Sequence, residues 1–171
     1  MRIYLIGYMG SGKTTVGREL AAILKIPFVD LDEMIVQEAG MDIVSVFSKK
    51  GEKKFRILEE KCLRQTVRHK KAVIATGGGA PCFHNNMEWM NENGITVYFQ
   101  VPEGVLFHRL SHDKANRPLI REVPDLSLME LIMDHLAVRE KFYSKAHHVV
   151  DGTKLKAEKL PSMLGLTKNK K

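Results

Sequence analysis

Short apolar runs alternate with segments of helical periodicity along most of the chain. The runs are rich in β-branched and aromatic residues, as strands are, and the segments between them place apolar residues three and four positions apart. The predicted strands are Arg2–Ile6, Pro27–Asp30, Ala72–Thr76, Thr96–Gln100 and His148–Val150. The predicted helices are Lys13–Leu24, Asp32–Ala39, Glu52–His69, Asn85–Asn93, Glu103–Ser111 and Leu126–Phe142. This alternation predicts an α/β fold whose parallel sheet is covered on both faces and binds ligands at the carboxyl ends of its strands.

The composition fits a single globular domain spanning residues 1–171. Hydrophobic residues make up 44% and charged residues 27% of the chain, a balance typical of proteins with a substantial core. The apolar runs are shorter than the roughly 18 residues of a membrane span, so no membrane partner is predicted. Met1 leads directly into the first strand without a secretory signal, and Cys62 and Cys82 form no C-x-x-C pair. These features predict a cytoplasmic protein with reduced thiols.

The loop between the first strand and the first helix, Gly7–Thr14, matches the phosphate-binding pattern G-x-x-x-x-G-K-[S/T]. Its glycines let backbone N–H groups converge on phosphate oxygens, and the helix N-terminus adds partial positive charge. Lys13 is predicted to reach the β- and γ-phosphates, and the Thr14 hydroxyl is predicted to bind Mg²⁺. The alternative is a glycine-rich turn that binds nothing, but the strand–loop–helix context favours the phosphate site.

The net charge of +7 raises the question of nucleic-acid binding. Six lysines and one glutamate between position 154 and the end of the chain account for +5 of this charge and leave about +2 for the rest. A lysine-rich end, here residues 154–171, is typical of a solvated helix face and a frayed tail. We therefore predict no nucleic-acid partner and assign the remaining basic residues to a polyphosphate ligand.

Asp30 and Asp32 close the second predicted strand. A spacing of two points both side chains the same way while the strand stays extended. Near a bound phosphate, one carboxylate can hold the Mg²⁺ shell and the other can accept a hydrogen bond from an attacking hydroxyl. The alternative is structural, with Asp30 ending the strand and Asp32 capping the next helix. Because the third strand does not end in the Asp of a Walker B motif, Asp30 is the nearest acid for Mg²⁺.

Arg56 and Glu59 are one helical turn apart and share a helix face. An arginine held by a carboxylate is a pre-oriented fork for a carboxylate ligand, although such a pair is more often a surface ion pair. After the third strand, Gly77–Gly79 leave the backbone bare, so that a ligand can approach its N–H groups closely. These two features predict a second binding region beside the phosphate loop.

Residues 112–125 form a polar segment with two prolines and two arginines between two predicted helices. So long a connection is uncommon in a compact domain unless it is functional or disordered. Beside a phosphate-binding loop it predicts a mobile lid that closes over substrate, with an ordinary mobile loop as the alternative. Arg117 in this lid is predicted to neutralise charge on a transferring phosphoryl group.

Six motifs, in order, resemble those of shikimate kinases over positions 1 to about 150. They are G-x-M-G-S-G-K-T-T-x-G at Gly7–Gly17, D-x-D at Asp30 and Asp32, F-R-x-x-E at Phe55–Glu59, G-G-G at Gly77–Gly79, R-P-L at Arg117–Leu119, and R-x-x-x-Y at Arg139 and Tyr143. The resemblance implies a three-layer P-loop kinase fold with a five-stranded parallel sheet in the order 2-3-1-4-5. It also implies a monomeric enzyme that transfers the γ-phosphate of ATP, with Mg²⁺, to the 3-hydroxyl of shikimate in the chorismate route to aromatic amino acids.

The resemblance implies roles for individual residues as well. In this assignment two arginines hold the acceptor carboxylate, two glycines line its ring, and an aspartate is the base. The residues implied to bind shikimate are Asp32, Arg56, Gly78, Gly79 and Arg139. The residues implied to bind ATP are Gly10, Ser11, Gly12, Lys13, Thr14, Thr15, Arg109 and Arg117. The implied catalytic residues are Lys13, Asp32 and Arg117, and the implied Mg²⁺ ligands are Thr14, directly, and Asp30, through water.

Three points leave alternatives open. Shikimate kinases often carry an arginine about seven residues before the lid arginine that stacks on adenine, but position 110 is Leu110, so the neighbouring Arg109 is the candidate. Arg56 and Arg139 also suit a sugar acid, which makes a gluconate kinase the second candidate. A non-catalytic nucleotide-binding module is the third, although such a module has no need of Asp32 facing a hydroxyl.

Overall fold

The computed structural model describes residues 1–114 and 120–166. The strands are β1 (Arg2–Ile6), β2 (Phe28–Asp30), β3 (Ala72–Ala75), β4 (Ile95–Gln100) and β5 (His148–Asp151). The helices are α1 (Lys13–Leu24), α2 (Leu31–Ala39), α3 (Ile43–Gln65), α4 (Asn86–Asn93), α5 (Glu103–His112), α6 (Asp125–Tyr143) and α7 (Leu160–Met163). Within the described ranges, no helix has the length and apolar character needed to cross a membrane.

The five strands form one sheet in the order β2-β3-β1-β4-β5, with every neighbouring pair parallel. This confirms the predicted fold class and strand order. Alternate residues of β1 enter different cores: Ile3 and Leu5 pack on the side of α1 and α7, whereas Tyr4 and Ile6 pack on the side of α2 to α6. Because both faces of the sheet are covered, the strands are almost continuously apolar.

The first half of α3 was missed by the sequence analysis, which predicted a helix over Glu52–His69. The helix begins at Ile43 because Asp42 caps it: Asp42 Oδ1 accepts a hydrogen bond from the Ser45 backbone N–H at 2.8 Å. It ends at Gln65 and is interrupted at Gly51, whose φ of 76° and ψ of 164° are not helical. The Gly51 interruption hid the amphipathic pattern of the residues before it.

The lysine-rich end is packed over part of its length. Ala157, Leu160 and Leu164 are buried in the core that contains α1, so the prediction of a frayed tail was wrong for this stretch. The described lysines Lys154, Lys156 and Lys159 are exposed, but Lys154 and Lys156 lie outside any helix, so the predicted solvated helix face was wrong for them. Residues 167–171 lie outside the described part of the chain.

Candidate functional site

Two cavities open where the strands end, and they touch each other. The first, the phosphate-loop cavity, has a volume of about 480 Å³ and is lined by the loop after β1, the start of α1 and the segment after β5. The second, the arginine cavity, has a volume of about 450 Å³ and is lined by α2, α3, the glycines after β3 and Arg139 of α6. The residues common to both cavities are Met9, Asp32, Gly77 and Gly78.

The backbone that shapes the phosphate-loop cavity requires glycine at two positions. Gly10 and Gly12 have φ of 79° and 95°, in the left-handed region that favours glycine. The Lys13 ammonium is buried and donates hydrogen bonds to the carbonyls of Gly7 at 2.8 Å and Tyr8 at 2.9 Å. The predicted residues that the loop and the start of α1 contribute to this cavity are Gly10, Ser11, Gly12, Lys13, Thr14 and Thr15. A lysine charge is therefore held inside a loop at the N-terminus of α1, the arrangement that binds phosphate.

Thr14 and Asp30 offer oxygen atoms suited to a magnesium ion. The Thr14 hydroxyl donates a hydrogen bond to Asp30 Oδ2 at 3.3 Å, and both residues line the phosphate-loop cavity. Among the described residues there is no cluster of three or more His, Cys, Asp or Glu side chains that could hold a metal on its own. Mg²⁺ commonly takes one or two protein oxygens and completes its shell with water and substrate phosphates, so the residues present fit this ion.

The predicted strand end at Asp30 is confirmed, but the predicted extended path from Asp30 to Asp32 was wrong. The strand ends at Asp30 and α2 begins at Leu31, because Asp30 Oδ1 caps the helix by accepting from the Asp32 N–H at 3.0 Å. Asp32 therefore lies in the first helical turn and does not extend the strand. Both carboxylates still line the phosphate-loop cavity, and only Asp32 also lines the arginine cavity.

The Asp32 carboxylate is accessible from the cavities but has protein on its other sides. Burial raises its pKa above the ordinary value, and repulsion from Asp30 raises it further, while Lys13 and Arg56 oppose the rise. A carboxyl group whose pKa is raised is a stronger proton acceptor when ionised, which suits general-base catalysis. The two cationic groups that act on Asp32 come from different cavities: Lys13 lines the phosphate-loop cavity, and Arg56 lines the arginine cavity.

Arg56 is held in the arginine cavity by a buried ion pair. Its Nη1 donates to Glu59 Oε2 at 2.7 Å, and the Glu59 side chain is only 1% exposed. Burial raises the pKa of Glu59, and the charge of Arg56 opposes this rise. The guanidinium also lies over the Phe83 ring at 4.3 Å from its centroid. The pair is therefore a fixed fork in a cavity, and the alternative of a surface ion pair does not apply.

The glycine segment after β3 lies against both arginines. A Cβ added at Gly79 would lie 2.6 Å from Arg56 Nη2, and one added at Gly78 would lie 3.3 Å from Arg139 Nη1. The carbonyl of Gly78 accepts a hydrogen bond from the Tyr143 hydroxyl at 2.5 Å. Both residues of the R-x-x-x-Y motif therefore contact the glycine segment. Arg139 lines the arginine cavity, and Tyr143, one turn later on α6, holds the Gly78 backbone beside it.

Arg109 connects the two edges of the phosphate-loop cavity. It donates to the Gly10 carbonyl at 3.1 Å and to the carbonyls of Gly152 and Thr153 at 3.3 and 2.8 Å. Leu110, in contrast, is buried beneath Gly10. The structure therefore brings Arg109, the candidate for the adenine site, to the cavity together with the segment after β5. Stacking of Arg109 on the base stays a prediction.

The remaining predicted residue, Arg117, lies outside the described residues, as does the central part of the predicted lid. On either side of it, Lys114 donates a hydrogen bond to the Val123 carbonyl at 2.5 Å and forms an ion pair with Asp125. The role of Arg117 stays a prediction.

Sequence reasoning missed several residues of the arginine cavity. The N-terminal part of α3 supplies an apolar wall, which consists of Ile43, Val44 and Phe47, and this wall was lost with the unpredicted part of the helix. Outside the lining of this cavity, a second carboxylate was missed: Glu52 accepts hydrogen bonds from Arg56 Nη2 and Nε at 3.2 and 3.3 Å. Its i,i+4 spacing from Arg56 was the available signal.

Comparison with known proteins identifies the family. The family model described as "Shikimate kinase" matches residues 9–164. A shikimate kinase of Phocaeicola vulgatus is 44% identical over 154 residues, which cover 90% of this chain and 88% of the relative. The crystal structure of shikimate kinase from Bacteroides thetaiotaomicron has a TM-score of 0.93 at 39% identity and covers 97% of this chain and 99% of that one.

A second solved structure, shikimate kinase from Acinetobacter baumannii in complex with shikimate, has a TM-score of 0.84 at 37% identity and covers 95% of this chain and 89% of that one. Both the sequence and the structure are thus similar to shikimate kinases over nearly their full length. Together with the two joined cavities, these findings show that the chain belongs to the shikimate kinase family of phosphotransferases.

Proposed function

We propose that this protein, acting as a single P-loop kinase domain, transfers the γ-phosphate of ATP to the 3-hydroxyl of shikimate and releases ADP and 3-phosphoshikimate. The observation that supports this most directly is the meeting of the two cavities at Asp32. One cavity has the chemistry for a polyphosphate, and the other has two arginines suited to a carboxylate. The family membership of the chain favours shikimate over gluconate as the acceptor.

In the proposed reaction the acceptor hydroxyl oxygen attacks the γ-phosphorus, and the bond from that phosphorus to the ADP oxygen breaks. Asp32 takes the proton of the hydroxyl, and Lys13 stabilises negative charge on the phosphoryl oxygens. Arg56 and Arg139 orient the acceptor through its carboxylate, so the hydroxyl is presented to Asp32. Positioning of this kind accounts for much of phosphoryl-transfer catalysis, because the transition state is loose.

Thr14 and Asp30 would hold Mg²⁺, the threonine by direct ligation and the aspartate through water. The ion neutralises charge on the phosphates when it is bound. In this assignment Asp30 has two tasks, since the same carboxylate also caps α2 through the Asp32 N–H. It therefore fixes the first turn of the helix that contains the proposed base.

Measurement of ADP release with shikimate, with gluconate and without an acceptor tests the proposed function. We expect release with shikimate to exceed both other rates greatly. Equal rates of ADP release with gluconate and with shikimate would favour the gluconate kinase alternative. Nucleotide binding without ADP release under any of the three conditions would favour a regulatory module. A dependence of the rate on added Mg²⁺, removed by a chelator, is expected in the same assay.

Replacing Arg56 or Arg139 by lysine is expected to raise the KM for shikimate about 10- to 100-fold and to leave the KM for ATP nearly unchanged. Lysine keeps the charge but loses the bidentate fork, and hydrogen bonds to charged groups are each worth about 1.5–3 kcal/mol. Arg18→Lys is the control, because Arg18 forms an exposed ion pair with Glu33. A larger effect on ATP than on shikimate would place these arginines at the phosphate site.

Gly79→Ala is expected to lower kcat/KM for shikimate about 10- to 100-fold, because an added Cβ would displace the Arg56 guanidinium and small misplacements of this kind are costly. Gly79 has a φ of −87°, so alanine adds no backbone strain and the effect is steric. Gly104→Ala is the control, since a Cβ there meets nothing within 4 Å. Equal kinetics of the two variants would contradict the proposed position of Arg56.

The cytoplasmic location and the monomeric state are further parts of the proposal. Cys62 and Cys82 are free, and burial raises the pKa of the Cys82 thiol to about 11, which keeps it protonated and unreactive. Free thiols of this kind are typical of a reducing compartment. Sedimentation over a range of concentrations would test the monomer.

A further inference from the structure

Two carboxylates of unlike character contact Arg56 from the same helix. Glu59, one turn after Arg56, is buried and bonds to Nη1 at 2.7 Å. Glu52, one turn before Arg56, has a side chain that is 59% exposed and bonds to Nη2 and Nε at 3.2 and 3.3 Å. Charge-assisted hydrogen bonds are usually 2.7–2.9 Å long, so the contact with Glu59 is tight and the contact with Glu52 is loose.

Glu52 reaches the guanidinium from the solvent side, since its own side chain is 59% exposed. One face of the guanidinium lies over the Phe83 ring, and Gly79 lies so near that an added Cβ would be 2.6 and 2.7 Å from the two terminal nitrogens. Glu59 takes Nη1. The edge formed by Nε and Nη2 is the one that Glu52 occupies, and it does so with a single oxygen, Oε1. A ligand carboxylate that binds two nitrogens with two oxygens makes a better match to this edge.

The position of Glu52 in the chain allows it to leave. It follows Gly51, where the helix is interrupted, and residues 48–54 are exposed. A released carboxylate remains beside the exposed lysines at positions 50, 53 and 54 and is fully hydrated. The contact is long and the Glu52 carboxylate is largely exposed, although Arg56 is buried. Exchange of Glu52 for a ligand carboxylate keeps the Arg56 charge paired, so it has a small cost.

We propose that Glu52 is an internal competitor for Arg56, which it occupies until the carboxylate of the acceptor displaces it. This inference rests on the proposed function, since it requires an anionic acceptor at Arg56. Glu52 then sets the affinity for the acceptor and favours ligands whose carboxylate can take its place. Glu59 has the opposite role: it is a positioning residue that stays bonded to Arg56 in both states.

The test compares Glu52→Gln with Glu59→Gln in steady-state kinetics and in calorimetric titration with shikimate. Loss of the long contact with the exposed Glu52 carboxylate frees Arg56. Glu52→Gln is therefore expected to lower the KM and the Kd for shikimate about two- to fivefold without changing kcat or the KM for ATP. Glu59→Gln is expected to raise the KM for shikimate. Glu52→Ala is a second variant and should act in the same direction as Glu52→Gln.

Glu60→Gln is the matched control, because Glu60 forms an i,i+4 pair with Arg64 on the same helix, away from the arginine cavity. It should leave the KM for shikimate unchanged. An unchanged or raised Kd in Glu52→Gln, in a protein that binds and phosphorylates shikimate, overturns the competitor role alone. A wild-type protein that neither binds nor phosphorylates shikimate overturns the proposed function and this inference together.

Discussion

Lys13→Ala is expected to lower kcat by at least about 10²-fold. The Lys13 ammonium is preorganised, since the carbonyls of Gly7 and Tyr8 hold it inside the phosphate-binding loop. Loss of one preorganised electrostatic group in an active site typically costs 10²- to 10³-fold in rate, and 10²-fold corresponds to about 2.7 kcal/mol of transition-state stabilisation. Steady-state turnover with saturating ATP and shikimate measures the effect.

Two controls separate chemistry from folding in this experiment. Lys71→Ala removes an exposed lysine and should leave kcat unchanged. Since Lys13 is buried against backbone carbonyls, its loss also affects the loop itself, so the thermal stability of each variant with and without ADP should be recorded. If Lys13→Ala keeps near-normal turnover, the loop does not act on the transferring phosphate and the assignment fails.

The sequence was informative wherever the signal was local. The phosphate loop was found with its strand and helix because glycine geometry, the lysine and the helix start all lie within a few residues, and β1 and α1 have the predicted bounds. The strand order could not be obtained in this way. It depends on which strands pair across long connections, and it was predicted only through the resemblance to shikimate kinases.

Errors arose where a side chain decides the backbone. Asp30 ends the strand, as predicted, and caps α2, but the spacing of Asp30 and Asp32 favoured an extended path between them, whereas Asp32 lies in the helix. Asp42 caps the start of α3, nine residues ahead of Gly51. In the sequence, Gly51 suggested a break between elements, but in the structure it is a kink within one helix. In both places a capping hydrogen bond outweighed the local pattern.

The arginine cavity shows the same limit for a site. The spacing of Arg56 and Glu59 predicted their pairing, but it could not rank Glu59 against Glu52, because both lie one turn from Arg56. Burial makes the difference: Glu59 lies against the backbone of Gly77, which is distant in sequence, whereas Glu52 is 59% exposed. Tertiary packing therefore decides which carboxylate is a fixed partner.

The two aspartates are expected to give different phenotypes when each is replaced by asparagine, which is nearly isosteric but uncharged. Asp32→Asn should lower kcat about 10²- to 10⁴-fold, the usual range for loss of a general base, while ATP and Mg²⁺ binding stay nearly intact. Asp30→Asn should instead raise the Mg²⁺ concentration needed for half-maximal rate. Kinetics at varied Mg²⁺ and acceptor concentrations distinguish the two.

Stability should not explain the loss in Asp32→Asn. Burial and Asp30 raise the pKa of Asp32 in the folded protein, so the folded state holds this proton more tightly than the unfolded state. Its ionisation therefore lowers stability as the pH rises from the unfolded to the folded pKa, and the neutral asparagine removes this penalty at neutral pH. The melting temperature of Asp32→Asn at pH 7 is expected to equal or exceed that of the wild type.

The pH dependence of the rate separates lost basicity from lost orientation. A base must be ionised to accept the proton, so the wild-type kcat/KM should fall as the pH falls through the raised pKa of Asp32. Asp32→Asn should lose this acidic limb. A limb that persists unchanged in Asp32→Asn would belong to another group and would indicate that Asp32 mainly orients the hydroxyl. Asp32 is assigned to the acceptor because, of the two aspartates, only Asp32 lines both cavities. If Asp32→Asn altered the Mg²⁺ requirement and Asp30→Asn altered the acceptor KM, this assignment would be reversed.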